Sequence, residues 1–102
     1  MAKEVEHANE LLRRCGEVSM RFSEYRATHG YLHISLTDGN SRRKGDVYLT
    51  DCEFISGPTS GGPFSLSVLA RRDGTGVEFS TGGNELTVKA GRVHVELGEE
   101  QR

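Results

Sequence analysis

The sequence predicts an α+β fold: an N-terminal amphipathic helix packed on a six-stranded antiparallel β-meander, curved as a single sheet or as a partly open barrel. Three observations predict it. Apolar residues recur with helical period near the N-terminus. Five of six later runs alternate apolar and polar residues with period two. Three glycine-containing pairs, Asp73-Gly74, Gly82-Gly83 and Ala90-Gly91, divide residues 64–97 into four short strands.

The helix is expected over about residues 3–28. Val5, Ala8, Leu12, Cys15, Ser19 and Phe22 follow one another at spacings of three and four, with Leu11, Val18 and Tyr25 beside them. That is the broad apolar face of a helix packed on a sheet. Glu10–Arg14 and Glu17–Arg21 are (i, i+4) pairs on the opposite face, each worth a few tenths of a kcal/mol. His29 and Gly30 mark the C-terminal end. Gly16 interrupts the run and costs ~1 kcal/mol relative to alanine inside a helix.

Strands are expected at about 31–37, 46–56, 64–72, 75–81, 84–90 and 91–97, followed by a frayed tail at 98–102. Leu32, Ile34 and Leu36 alternate with His33, Ser35 and Thr37. The polar segment 38–45 is a loop. The second strand changes phase, because Val47 and Leu49 share one parity and Cys52 and Phe54 the other; a β-bulge near Thr50-Asp51 accounts for that. Gly57 to Pro63 reads as a flexible connector. Two-residue turns fix hairpin register. They place Ala70 opposite Val77 and Val68 opposite Phe79, then Val77 opposite Val88 and Phe79 opposite Leu86, then Val88 opposite Val93 and Leu86 opposite Val95. All these apolar residues fall on one face, and a slip of one residue would turn each strand over. The other face is wet, with Arg71, Glu78, Glu85, Lys89, Arg92, His94 and Glu96.

Residues 1–102 suffice for one domain and one core. A net charge of −2 and a pI near 6.1 give no field that gathers nucleic acid or anionic membrane, and no run approaches the ~18 apolar residues of a membrane span. The polar N-terminus lacks a signal-peptide stretch. The expected compartment is the cytoplasm, with Cys15 and Cys52 as reduced thiols.

A straight helix of ~25 residues is roughly 37 Å long and strands of ~7 residues span roughly 23 Å. Either the helix breaks at Gly16 or its free end is an interface at Val5, Ala8, Leu12 and Cys15, with a homodimer as the simplest assembly.

The candidate chemistry is sparse. His33 and His94 could share a metal with Glu96 or Asp51 if their strands were neighbours, but zinc needs three or four convergent ligands and no diagnostic spacing is present. Cys52 could act as a nucleophile with His33 or His94, but Asp51 and Glu53 beside it oppose thiolate formation. Glu85 opposite Glu96 reads as a surface pair. The glycine-rich pieces lack the strand–loop–helix setting and the lysine of a phosphate loop. Arg42-Arg43-Lys44, even with Arg71-Arg72, has no interleaved aromatic platform for nucleic acid. No catalytic, cofactor or metal residue is therefore assigned. The function that remains is a small cytoplasmic non-catalytic protein-interaction or assembly module, of the inhibitor or immunity kind, binding a protein partner or itself. Its polar binding face comprises Arg71, Glu78, Lys89, Arg92 and His94. The alternative is a small apolar-ligand carrier with a cavity between helix and curved sheet; the seven aromatics, Phe22, Tyr25, Tyr31, Tyr48, Phe54, Phe64 and Phe79, predict a filled core and would line a pocket only with the helix displaced. Third comes an enzyme built on Cys52 with His33 or His94.

Overall fold

The N-terminal helix stops at the residue best suited to stop it. The computed structural model describes residues 2–40, 42–71 and 75–98. In it α1 runs from Ala2 to Cys15, and Gly16 takes the left-handed conformation (φ 68°) while its N–H closes back on the carbonyls of Leu12 and Arg13. Glycine pays no Cβ penalty there. The second half of the expected helix is instead a strand, β1 (Val18–Arg26). Val18 and Phe22 satisfy spacings of both two and four, so helical period alone could not separate the two readings. Shortening the helix to 14 residues brings it to about 21 Å, the length of a strand, and removes the overhang that suggested an interface.

After a short 3-10 turn (Ala27–His29), the chain forms β2 (Tyr31–Thr37), β3 (Arg43–Thr50), β4 (Phe54–Ser56), β5 (Ser60–Phe64), β6 (Leu66–Ala70), β7 (Val77–Thr81), β8 (Thr87–Ala90) and β9 (Arg92–Leu97). These make two antiparallel sheets rather than one meander: β5-β1-β2-β3-β9 and β4-β8-β7-β6. No barrel closes. Four consecutive pairs, β3/β4, β4/β5, β5/β6 and β8/β9, pass from one sheet to the other, as strands do at the corners of packed sheets.

Two corners lie side by side. At the first, Asp51 adopts positive φ (57°). At the second, the Gly91 N–H donates to the carbonyls of Thr50 and Asp51. The phase change expected to be a bulge is thus the end of β3 and the step into the other sheet. Phe54 is thereby turned outward, 48% exposed, while Ile55 packs against the core. The expected flexible connector is partly ordered as β5, which pairs with β1 through Val18–Phe64 and Met20–Gly61.

The register expected for β6 and β7 is present, with Ala70 opposite Val77 and Val68 opposite Phe79. The next hairpin is shifted by two: Val77 faces Ala90 and Phe79 faces Val88. Its loop spans Gly82 to Glu85, with Asn84 at φ 60° and the Thr81 N–H donating to the Leu86 carbonyl at 3.2 Å. A shift of two keeps every side chain on its face. The third pairing is replaced. β9 leaves β8 at Gly91 and pairs with β3, setting Val93 opposite Leu49 and Val95 opposite Val47. The Asp73-Gly74 turn, Arg72, the side chain of His29 and the tail beyond Gly98 lie outside the described residues.

The core lies between the sheets: Leu32, Ile34, Leu36, Val47 and Leu49 from the larger, Val68, Val77, Phe79, Leu86 and Val88 from the smaller, all fully buried. Of the seven aromatics expected in it, only Phe79 is fully buried; Phe22 and Phe64 pack at its margin, and Tyr25 is 52% exposed. Helix α1 lies along the edge strands β6 and β9 and inserts Ala8, Leu12 and Cys15 into the core. Polar side chains finish the seam. Asn9 donates from Nδ2 to the Val68 carbonyl (2.7 Å) and accepts the Val68 N–H at Oδ1 (2.8 Å). Glu4 accepts the Val93 N–H (3.4 Å) and an Arg92 N–H (3.2 Å). The stripe Val5, Ala8, Leu12 and Cys15 is therefore used within the chain, as the helix's own seat on the sheets.

Candidate functional site

The outer face of the larger sheet carries a polar and aromatic patch. With Leu32, Ile34 and Leu36 turned inward, β2 presents His33 and Ser35 outward. β3 presents Asp46 and Tyr48 by the same alternation, and β9 presents Arg92, His94 and Glu96. Register aligns them. His33, Tyr48 and His94 form one row across three strands, and Ser35, Asp46 and Glu96 form the next. The His33 and Tyr48 rings stack with centroids 4.5 Å apart and planes 14° from parallel, and the His94 ring lies 6.0 Å beyond Tyr48. These spacings suit aromatic stacking. Gly45 permits the close packing of β9 at this end, since a Cβ there would meet the Glu96 carbonyl oxygen at 2.5 Å.

Asp46 anchors the patch. It belongs to the outer face, yet it is only 5% exposed. Its Oδ1 accepts a hydrogen bond from His33 Nε2 (2.8 Å), and its Oδ2 accepts from Arg43 Nε (2.7 Å) and Nη2. A carboxylate held by three charge-assisted or ring donors has a fixed orientation, and it fixes the proton of His33 on Nε2. The hydrogen bond to Asp46 raises the Arg43 guanidinium pKa above its usual value, so this cation persists at any physiological pH. Burial, followed by the Asp46 and Glu96 carboxylates, pushes the Tyr48 phenol up, so its hydroxyl remains a neutral donor. His94 Nε2 lies 3.2 Å from Glu96 Oε1.

Two shallow grooves flank His94. One, of about 340 Å³, runs between α1 and β9 beside Lys3, His7 and Val95. The other, of about 240 Å³, lies over Tyr48, Thr50 and Arg92. Glu4 borders both.

The expected site residues are redistributed. His33 and His94 stand on either side of Tyr48, two strand spacings or roughly 10 Å apart, and among the described residues no group of three or more His, Cys, Asp or Glu could hold a metal. Cys52 meets neither histidine in a hydrogen bond; its thiol donates to the Leu49 carbonyl at 3.8 Å. Burial, reinforced by the Asp51 carboxylate, pushes it up to about 11, which leaves it protonated and a poor nucleophile. Glu85 does not face Glu96. It accepts from the Thr81 hydroxyl (2.6 Å) and the Gly83 N–H (3.1 Å), and these bonds lower its pKa, the hydroxyl most. Within the basic loop, Arg43 is committed to Asp46, while Arg71 bonds Glu53 at 2.7 Å. The polar binding face is divided by the corner at Gly91: Arg71, Glu78 and Lys89 belong to the smaller sheet, Arg92 and His94 to the larger.

Sequence reasoning singled out both histidines but missed Tyr48 and Asp46, which join them. The available signal was the outward parity of Asp46 and Tyr48 on a strand whose Val47 and Leu49 point in. No family model, curated protein or solved structure matches this chain. Among the described residues no helix is long and apolar enough to cross a membrane.

The Cys52 thiol gives a pH prediction. An acid whose pKa rises from 9.0 unfolded to about 11 folded leaves the unfolded state with fewer protons between those values, so stability falls as pH rises from 9 toward 11. The thermal midpoint is expected to drop over this range, and Cys52→Ala to flatten the drop; equal slopes in both proteins would show that the thiol contributes nothing.

Proposed function

We propose that this chain is a non-catalytic protein-interaction module that binds its partner through the outer face of the larger sheet, centred on Tyr48. One observation carries the reading: the His33, Tyr48 and His94 rings form one row across three strands, His33 stacked on Tyr48 and His94 tilted by 33° beyond it, with His33 held by a nearly buried Asp46. Tyrosine and arginine are favoured at interface hot spots, and side chains fixed before binding lose little conformational entropy on docking. The grooves beside His94 give a partner's side chains somewhere to seat. The protonated Cys52 thiol, bonded to the Leu49 carbonyl, and the separation of the two histidines work against an enzyme built on Cys52 with His33 or His94. The helix face of Ala8, Leu12 and Cys15 is buried in one core cluster with Phe79, which works against an apolar-ligand cavity under the helix.

The test is affinity capture from the host cell's extract with the wild-type chain and with Tyr48→Ala, each shown to be folded. A protein retained by the wild type and depleted at least ~tenfold by the variant, as expected for a hot-spot truncation, supports the reading. Equal retention by both, or no specific protein with either, overturns it.

A further inference from the structure

The smaller sheet has an outer face with an order that the larger one lacks. Its strands run β4-β8-β7-β6, and register aligns Leu69, Glu78, Lys89 and Phe54 in one row across them. The next row is Ser67, Ser80, Thr87 and Ser56. Val68, Phe79 and Val88 point into the core, so both rows face away from it. The first row reads apolar, acid, base, apolar. Its two ends are among the most exposed large apolar residues of the chain, with Leu69 at 60% and Phe54 at 48%. The second row holds only small hydroxyl side chains, which lets another sheet approach closely. Single exposed apolar residues are ordinary; this order is not, because it is complementary to itself.

We propose that this face docks a second copy of the chain, about a two-fold axis that lies between the two sheets, parallel to their strands and midway between β7 and β8. Rotation about that axis reverses the order across the strands and preserves position along them. Leu69 then meets the partner's Phe54, Glu78 meets the partner's Lys89, and the hydroxyl rows meet each other. Each contact occurs twice, as an isologous interface requires. A two-fold axis perpendicular to the strands would set Glu78 on Glu78 and Lys89 on Lys89, which like-charge repulsion disfavours. The strands of the two copies would align as in a sandwich, with the sheets ~10 Å apart. Within one chain the Lys89 ammonium already lies 5.3 Å from the centre of the Phe54 ring, so the base and the aromatic stand ready as one unit.

The patch covers on the order of 250–300 Å² on each copy, from four strands at ~4.8 Å spacing and two outward rows. A stable dimer buries ~800 Å² per partner, so this association is weak and its range is ~0.05–1 mM. The surface is distinct from the one around Tyr48, and neither reading depends on the other.

Sedimentation velocity over that concentration range tests it. The wild type is expected to pass from monomer to dimer. Glu78→Lys and Lys89→Glu, each checked for an intact fold by circular dichroism, are expected to weaken the dimer ~tenfold or more. An equimolar mixture of the two variants brings opposite charges together at both contacts and is expected to dimerise again. Damage within either chain could not produce that recovery. A wild type that stays monomeric at ~1 mM overturns the proposal and leaves the face to another partner. So does a dimer indifferent to both substitutions, or a mixture that fails to recover.

Discussion

Replacing Phe79 by alanine is expected to destabilise the protein by roughly 3–5 kcal/mol, the usual cost of truncating a buried aromatic. Phe79 is fully buried at the centre of β7, between Val68 on β6 and Val88 on β8. Its ring fills the space between the sheets, and the surrounding residues are committed to opposite walls, so collapse onto the void is restricted. Equilibrium urea unfolding measures the effect as a fall in midpoint at unchanged slope. Phe54→Ala is the companion measurement. With half its surface in water, Phe54 should cost no more than about 0.5 kcal/mol at micromolar protein. The two phenylalanines are indistinguishable by residue type and both lie on strands. A large loss at Phe54 with a small one at Phe79 would reverse the inside and outside of the smaller sheet.

That contrast shows where the sequence is legible. Alternation over 31–37 and the Asp73-Gly74 pair in the sequence specify β2 and the β6–β7 register, because the pairing of strands adjacent in sequence is local structure. Corners are harder. Inward residues are spaced by two along a strand, but by three from Leu49 to Cys52 and from Ala90 to Val93, and each break of phase is a passage between sheets. A bulge produces the same break, as between Phe22 and Glu24 of β1. Gly91 suits a turn as well as a corner, so nothing local says that β9 leaves β8 for β3. The candidate site inherits this limit. His33 and His94 are visible as outward histidines, but Tyr48 joins them only once β9 is placed beside β3. Asp46 is an ordinary strand-face carboxylate until Arg43 and His33 close over it.

Replacing Asn9 by alanine is expected to cost about 2–3 kcal/mol, more than a typical surface substitution on a helix. The Asn9 amide stands in for a missing strand: it donates to the carbonyl and accepts from the N–H of the same residue, Val68, as a ladder partner would. Alanine leaves both backbone groups without that partner, and each orphaned group costs about 1–3 kcal/mol when water cannot replace the bond. Partial access of water at this seam holds the sum to the lower part of the range. Asn9→Asp separates the two halves, since a carboxylate still accepts the Val68 N–H but repels the Val68 carbonyl. Protection of the Val68 amide from hydrogen exchange should collapse in Asn9→Ala and largely survive in Asn9→Asp, while both variants lose stability. The consequence reaches beyond one bond. An edge strand with open N–H and carbonyl groups invites pairing with another chain, and α1 covers the edge of β6 through Asn9 and that of β9 through Glu4. If Val68 exchanges no faster in Asn9→Ala, the helix is held by Ala8, Leu12 and Cys15 alone and its polar contacts merely follow. If exchange accelerates and the variant aggregates at its new edge, the helix serves this fold as the missing strand between its two sheets.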